Sequence, residues 1–207
     1  VYCTGTLATV IPQGSIVSVV NDPSSRFLSA DEGTIGAGVD AVQQIDFSNV
    51  PTGGAWTLVL DGEETASMAF NISAVNVQAA LNALIALSDV VVTGDFTLGF
   101  EVTFTLTDGS QPQSLLAYNA NTLNNGGIDT VISISETTPG ELPHVSINFI
   151  SELKGAYAAS AGSLTVIETT VAGWDNATNL LDADIGLEVE TDAALRIRRE
   201  QTLANPG

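Results

Sequence analysis

From residue 96 to residue 107 apolar and polar side chains alternate without a break. Phe96, Leu98, Phe100, Val102, Phe104 and Leu106 take the even positions, and Thr97, Gly99, Glu101, Thr103, Thr105 and Thr107 the odd ones. Successive side chains of an extended chain point to opposite faces, so the run predicts a strand that buries its phenylalanine side and leaves a threonine side to water. Such a strand needs partners and a cover, and its neighbours supply both. Trp56, Leu58 and Leu60 alternate up to Asp61-Gly62, a dipeptide whose tolerance of positive φ favours a two-residue hairpin turn, and Ala66, Met68 and Phe70 answer on the return strand.

Ser73 is placed to cap a predicted helix over residues 74–87, where Val77, Ala80, Leu81, Leu84 and Ile85 recur at helical spacing. Residues 90–92 read as a strand, Gly94-Asp95 as a turn, and residues 128–134 as a last strand before the Pro139-Gly140 exit. Residues 41–142 therefore read as a self-contained module, a sheet of about five strands with one helix packed on it, and about 100 residues suffice for independent folding.

The flanks, residues 1–40 and 143–207, carry their own strand patterns. The opening YCTGTLATVIPQGSIVSVV predicts two strands joined around Pro12-Gln13-Gly14, and Arg26-Phe27-Leu28 a third. Val145, Ile147 and Phe149 alternate with Ser146, Asn148 and Ile150, and residues 164–171 give a further strand. Gly173-Trp174 and Asn176 to Asn179 read as a turn that presents Trp174. These pieces predict one discontinuous β-platform domain, ending in a helix over 192–204. The fold class expected is α+β, predominantly β.

Charge narrows the partners. The chain carries 24 Asp and Glu against 5 Lys and Arg, a formal net charge of -19, which repels nucleic-acid phosphates and anionic membrane surfaces alike. Not one lysine or arginine lies between Arg26 and Lys154. The longest apolar stretches fall far short of the roughly 20 residues of a membrane helix. Neither nucleic acid nor membrane is expected as a partner. Cys3 is the only cysteine, so an intramolecular disulfide is impossible and a small buried hydrophobe is expected. With no initiator Met and an Asn205-Pro206-Gly207 end just after a helix pattern, the chain reads as a fragment of a longer polypeptide.

Chemistry-bearing constellations are scarce. A Ser-His-Asp arrangement would have to use His144, the single histidine, which sits beside Pro143 at the expected domain junction. No nucleophile-elbow motif and no phosphate-cradling Gly-Lys loop occurs, and Gly33, Gly36 and Gly38 read as turn glycines. The acidic groups Asp61, Glu63 and Glu64, or Asp182 and Asp184 with Glu188, do not have the spacing of a calcium loop and read as solvated faces. A glycosidase carboxylate pair stays open from sequence, but Trp56 and Trp174 lie in different units and no sugar-stacking cluster accompanies them. No catalytic, cofactor-binding or metal-ligating residue is expected, and no enzymatic activity.

Several motifs follow one another in the flanks: IPQG at 11–14, an aromatic at Phe27, the Gly155-Ala156 step, Ala161-Gly162-Ser163, GWDNATN at 173–179 and ETDAALRIRR at 190–199. In that order they resemble the baseplate J-like proteins of contractile-tail phages and related injection machines. Two departures stand out. Gly186 is followed by Leu187 where the family usually has a basic residue, and the insert at 41–142 replaces a short connection. The central run VQQIDFSNVPTGGAWTLVLDGEETASMAFNISAVNVQAALNAL is similar to a recurring module of phage structural proteins.

The resemblance implies a structural component of a tail baseplate wedge, assembled in the host bacterial cytoplasm and residing in the virion. It implies no cofactor, and partners that are other wedge subunits and copies of the chain itself. Within its C-terminal stretch, Thr191 can cap a helix, Asp192 complements the helix dipole, and Asp192–Arg196 and Arg196–Glu200 have salt-bridge spacing. Arg196, Arg198 and Arg199, with Trp174, are the candidate subunit contact; the plain alternative for the arginines is a solvated helix face. The competing function is an extracellular or virion binding module whose insert recognises a cell-surface glycan or protein. An exposed aromatic patch on the insert would mark it, whereas packed aromatics beneath a threonine face would mark a purely structural role.

Overall fold

The computed structural model describes every residue except 86, 88, 106–108, 156, 187–191 and 205–207, and at Ala120 the backbone alone. The chain divides into two compact units, Val1–Ile35 with Val145–Gly207, and Gly36–His144. Both are built mainly of strands, so the fold is α+β and predominantly β.

The first unit opens with β1 (Tyr2–Gly5), β2 (Val10–Ile11), β3 (Ile16–Val19), β4 (Asp22–Ser29) and β5 (Gly33–Thr34). The second unit then runs β6 (Val42–Phe47), β7 (Ala55–Leu60), β8 (Glu63–Glu64), β9 (Met68–Ala69), α1 (Ala74–Leu81), β10 (Val90–Asp95), β11 (Gly99–Phe104) and β12 (Ala117–Asn121). It closes with β13 (Asn124–Asn125), β14 (Ile128–Asp129) and β15 (Ile132–Thr138). After β16 (His144–Ser146), at the boundary, come β17 (Phe149–Ser151), β18 (Leu164–Ile167), β19 (Trp174–Thr178) and α2 (Asp192–Ala204).

In the first unit the chain ends interleave. One sheet has the order β16-β1-β19, a second the order β17-β4-β3-β18, and β2 pairs with β5. Cys3, Ile11, Val17, Phe27, Ile35, Ile147, Leu164, Trp174 and Ala177 pack into its core. The strands expected on either side of Pro12 exist but do not form a hairpin with each other: β2 turns to β5, and β3 to β4 and β18. Arg26 on β4 lies 3.1 Å from Glu152 and 2.8 Å from Glu168, tying the two sides of this sheet together.

The second unit holds two four-stranded sheets rather than the single sheet of about five strands that the pattern predicts. One runs β10-β11-β6-β15; the other runs β12-β7-β8, with β9 also on β7. The extra strands β6 (VQQIDF) and β12 (AYNAN) carry no sustained apolar alternation, since Gln, Asp and Asn interrupt it. Between the sheets Ile45, Trp56, Leu58, Leu60, Phe100, Val102, Phe104 and Ile132 are almost wholly buried, and Val77 and Leu81 of α1 join the same core. Phe47 meets Trp56 and Phe100 edge-on, at 5.5 and 6.0 Å between ring centroids.

The alternating run from 96 to 107 is corrected by its own hairpin. Asp95 accepts hydrogen bonds from the Thr97 and Leu98 amides, at 2.7 and 3.1 Å, and from the Thr97 hydroxyl. That side-chain turn, with Gly94 and Gly99 at φ +91 and +96, makes residues 96–98 the tip between β10 and β11. Leu98 is consequently 80% exposed, while Phe100, Val102 and Phe104 are buried as expected. Residues 106–108 of the run lie outside the described residues.

The Asp61-Gly62 turn forms as expected, with φ of 50 and 88 between β7 and β8, the two positive values a type I′ turn requires. The predicted helix over 74–87 stops at Leu81. Asn82 is its C-cap; its carboxamide donates to Asp89 (2.7 Å) and accepts from the Val90 amide (3.0 Å), diverting the chain into β10. Leu84 and Leu87 still reach the core, but Ile85 is 91% exposed. Ser73 occupies the N-cap without a side-chain capping bond. The strand expected over 128–134 is split into β14 and β15, and the latter continues to Thr138.

Candidate functional site

The helix α2 carries three of the four arginines of the chain. None of its residues is buried, so Arg196, Arg198 and Arg199 all lie on exposed surface together with Leu195, Ile197 and Leu203. Leu195, Arg198, Arg199 and Thr202 share one shallow concave face, as their spacing of three and four dictates. Among the described residues, neither Asp192–Arg196 nor Arg196–Glu200 closes to ion-pair distance. Glu190 and Thr191, the expected helix start, lie outside the described residues.

Trp174 is not presented to solvent, and its assignment as a contact residue is corrected. Gly173, at φ +88, makes the turn, and Trp174 itself opens β19, opposite Gly5 of β1. Only 6% of the residue is exposed; the ring lies in the core that contains Cys3, and its indole N–H donates to the Asn176 carbonyl at 3.0 Å. Burying an indole stabilises more than displaying it, provided the N–H finds an acceptor. Cys3 is buried, as expected, and burial pushes its thiol up to about 11.

The residue of the GWDNATN run that does most is Asn179. Its side-chain amide donates to the carbonyls of Ser160 (2.8 Å) and Leu181 (2.9 Å), and its oxygen accepts from the Leu164 amide at 2.9 Å. One 7%-exposed carboxamide thus fastens β18, the 159–160 loop and the segment after β19. Nothing in periodicity marks such a residue; an Asn between Thr178 and Leu180 is its only trace in the sequence.

His144 stands at the unit boundary, half-buried, its Nδ1 2.9 Å from the Leu142 carbonyl oxygen. The carboxylates considered for calcium serve local structure. Glu63 accepts from the Ile85 amide (2.7 Å), Glu64 from the Thr57 hydroxyl (2.6 Å) and the Asn119 amide (3.0 Å), and Asp182 from the Ala161 amide (2.7 Å). Those hydrogen bonds from Thr57 and Asn119 hold the Glu64 carboxyl below the usual range. Among the described residues no group of three or more metal-ligating side chains converges; Glu188 lies outside them. No helix among the described residues is long and apolar enough to cross a membrane.

One surface in the second unit was not anticipated. Gln43, wholly buried on β6, donates to the Ser114 carbonyl (2.9 Å) and accepts from the Leu116 amide (2.8 Å), so its side chain takes the place of a neighbouring strand and seats the start of β12. Between β12 and β15 the sandwich stays open. Tyr118 is registered with Leu58 and Ile134 with Ile45, so both face the interior of the sandwich. Together with Leu116 and Ala117 they line a shallow cavity of about 210 Å³. The opposite edge is closed: the side chains of Gln78 and Asn82 on α1 accept from the amides of Val92 and Val90 on β10.

No known family pattern matches the chain, and no curated protein matches it. Among solved structures it is similar to a chain from Mycobacterium phage Patience, at 12% identity over 93% of each chain and with a TM-score of 0.34. A likeness at that score carries no argument.

Proposed function

We propose that this chain is a structural component of a phage or phage-like tail baseplate, without enzymatic activity, which assembles the wedge through protein–protein contacts. The observation that carries the reading is the ordered run of motifs from IPQG at 11–14 to ETDAALRIRR at 190–199, spread over two flanking segments that fold as one β unit around an insert. Within that run the chemistry-bearing side chains serve as fasteners: Asn179 and the Trp174 indole satisfy backbone groups of their own unit. The insert supports a structural role over receptor binding. Its Phe47, Trp56 and Phe100 pack against one another, while Thr93, Glu101, Gln44 and Ser135 form a polar row across the outer face of its sheet.

In this reading the protein resides in the virion, its partners are other wedge subunits and further copies of itself, and the arginines of α2 belong to a subunit contact. The test is direct imaging. A labelled antibody raised against this chain should decorate the tail tip of intact particles in electron micrographs; decoration of the capsid, or of no particle at all, would overturn the reading.

A further inference from the structure

The outer margin of β15 is bare. The Ser48 amide donates to the Val131 carbonyl at 2.9 Å, and on the other side of β6 the Phe104 amide donates to the Ala41 carbonyl at 2.9 Å. Bonding direction alternates along an antiparallel strand. With Ser133 opposite Asp46 and Ser135 opposite Gln44, the backbone groups of these serines turn to β6, and those of Ile132, Ile134 and Glu136 turn away from it. Thr130, on the same outward row, is satisfied: its amide donates to the Leu123 carbonyl at 2.9 Å and its carbonyl accepts from the Asn121 carboxamide at 2.7 Å. Further along the row, the backbone groups of Ile134 and Glu136 meet no partner among the described residues.

Beside this margin lies the apolar opening of Leu116, Ala117, Tyr118 and Ile134, with Tyr118 42% exposed. Glu136 stands at its end. It is registered with Gln43, whose side chain turns into the sandwich, so the carboxylate lies on the same face of the sheet as the opening. Glu136 is exposed and, among the described residues, without an ion-pair partner. A charge on the inner face of an edge strand keeps uncharged strands off it, since they would cover the carboxylate unpaired. It admits a strand that brings a cation. The second unit has none to bring: between Gly36 and His144 lie twelve aspartates and glutamates and no lysine or arginine. Elsewhere in the chain Arg26 is paired on β4, Lys154 lies outside the strands, and the other three arginines are in α2. A second copy therefore offers no extended basic segment.

We propose that the bare margin of β15 takes up an extended segment of a different protein as an antiparallel fifth strand of the sheet β10-β11-β6-β15. That segment carries an apolar side chain opposite Ile134 and a lysine or arginine opposite Glu136. Its main chain bonds the outward groups of Ile134 and Glu136, its apolar side chain covers the opening beside Tyr118, and its cation meets the carboxylate. The inference rests on the reading that the chain works by assembly, and it gives the chemistry of one partner.

A blocked heptapeptide, Thr-Lys-Thr-Ile-Thr-Val-Thr, carries the pattern and serves as probe. Titrated into the isotope-labelled whole chain to about 5 mM, it reveals a Kd of about 1 mM. Salt at about 0.15 M screens charges farther away than about 8 Å. Amide shifts should gather at residues 132–136 and at Tyr118. Glu in place of the peptide's Lys should weaken binding about tenfold, as cross-strand attraction becomes repulsion, and E136K should reverse that preference. Ile134→Pro should abolish binding yet leave β15 on β6, because the amide it removes points away from β6. Circular dichroism melts check that each variant is folded, and E136K, altered at an exposed side chain, decides if Ile134→Pro is not. No shift at the highest peptide concentration, equal binding of the two peptides, or a preference that survives E136K would each overturn the proposal. Dimerisation of wild type through β15 would overturn it too, by making the occupant a second copy. These outcomes leave tail-tip decoration unaffected, so a failure here is separable from a failure of the baseplate reading.

Discussion

The ring of Trp56 on β7 lies stacked on that of Phe100 on β11, with centroids 6.0 Å apart and planes 18° from parallel. The two residues come from different sheets, so this pair is where the halves of the second unit meet. Phe100→Ala should cost about 3–5 kcal/mol, the range for removing a buried aromatic. Hydrogen exchange read by unit should show the loss in Gly36–His144 and leave the strand amides of the first unit protected; equal loss in both would contradict the separate cores.

Asn179→Ala removes the carboxamide's hydrogen bonds to the Ala159, Ser160 and Leu181 carbonyls and leaves the Leu164 amide buried without its acceptor. A penalty of about 2–3 kcal/mol is expected, against about 1 kcal/mol for Asn176→Ala, whose side chain accepts only from the adjacent Ala177 amide. Urea midpoints at unchanged slope measure both, and similar midpoints for the two variants would refute the role given to Asn179.

Hydrogen bonds from the Thr97 hydroxyl and amide hold the Asp95 carboxyl below its ordinary 3.8. A carboxyl with a lowered value in the folded state adds stability that is present above its unfolded value and is lost as the pH falls through the folded one. The Asp95 carboxyl resonance should therefore titrate below 3.8 in wild type and return towards 3.8 in Thr97→Val. A wild-type midpoint at or above 3.8 would rule the turn out as the cause.

The Cys3 thiol carries the opposite sign. Burial raises it from 9.0 to about 11, so the protonated thiol contributes stability that is intact below pH 9.0 and is lost as the pH rises towards 11. Cys3→Ala should remove that alkaline slope from the stability profile, and thiol reagents should label native wild type only at the rate at which the first unit opens. Rapid labelling of the native protein at neutral pH would show the burial to be wrong.

The ends of the second unit are held together by the Gly36 amide, which donates to the His144 carbonyl at 2.9 Å, and by the reciprocal pair between Val39 and Glu141 at 2.9 and 2.8 Å. Replacing residues 36–144 by a short Gly-Ser linker should leave a first unit that melts cooperatively, because the gap to be bridged is that of one backbone hydrogen bond. Loss of the cooperative transition would mean that the first unit depends on its insert.

Much of this was legible where side chains alternate over a buried face. The β7 to β8 hairpin followed from Trp56, Leu58, Leu60 and Asp61-Gly62, and the buried half of β11 from Phe100, Val102 and Phe104. What escaped was decided by single polar side chains that outbid periodicity: Asp95 turned the best alternating run into a hairpin, Asn82 ended α1 a turn and a half early, and Gln43 built a strand neighbour out of an amide. For the site, the arginines of α2 were visible as a cluster of charge, whereas Trp174 was misread because GWDN looks like a turn and only the pairing of β19 with β1 puts its ring inside. The β12–β15 opening had no signature at all, since it depends on which edges of two sheets end up uncovered.

The amides of Gln78 and Asn82, laid along β10, have a consequence for how copies of this chain can combine. A sheet with two bare margins can be extended at both, and identical molecules then grow into fibres without limit. In the sheet β10-β11-β6-β15 one margin is already occupied by the chain's own side chains, at the Val90 and Val92 amides, so pairing with another copy can lengthen that sheet only at β15.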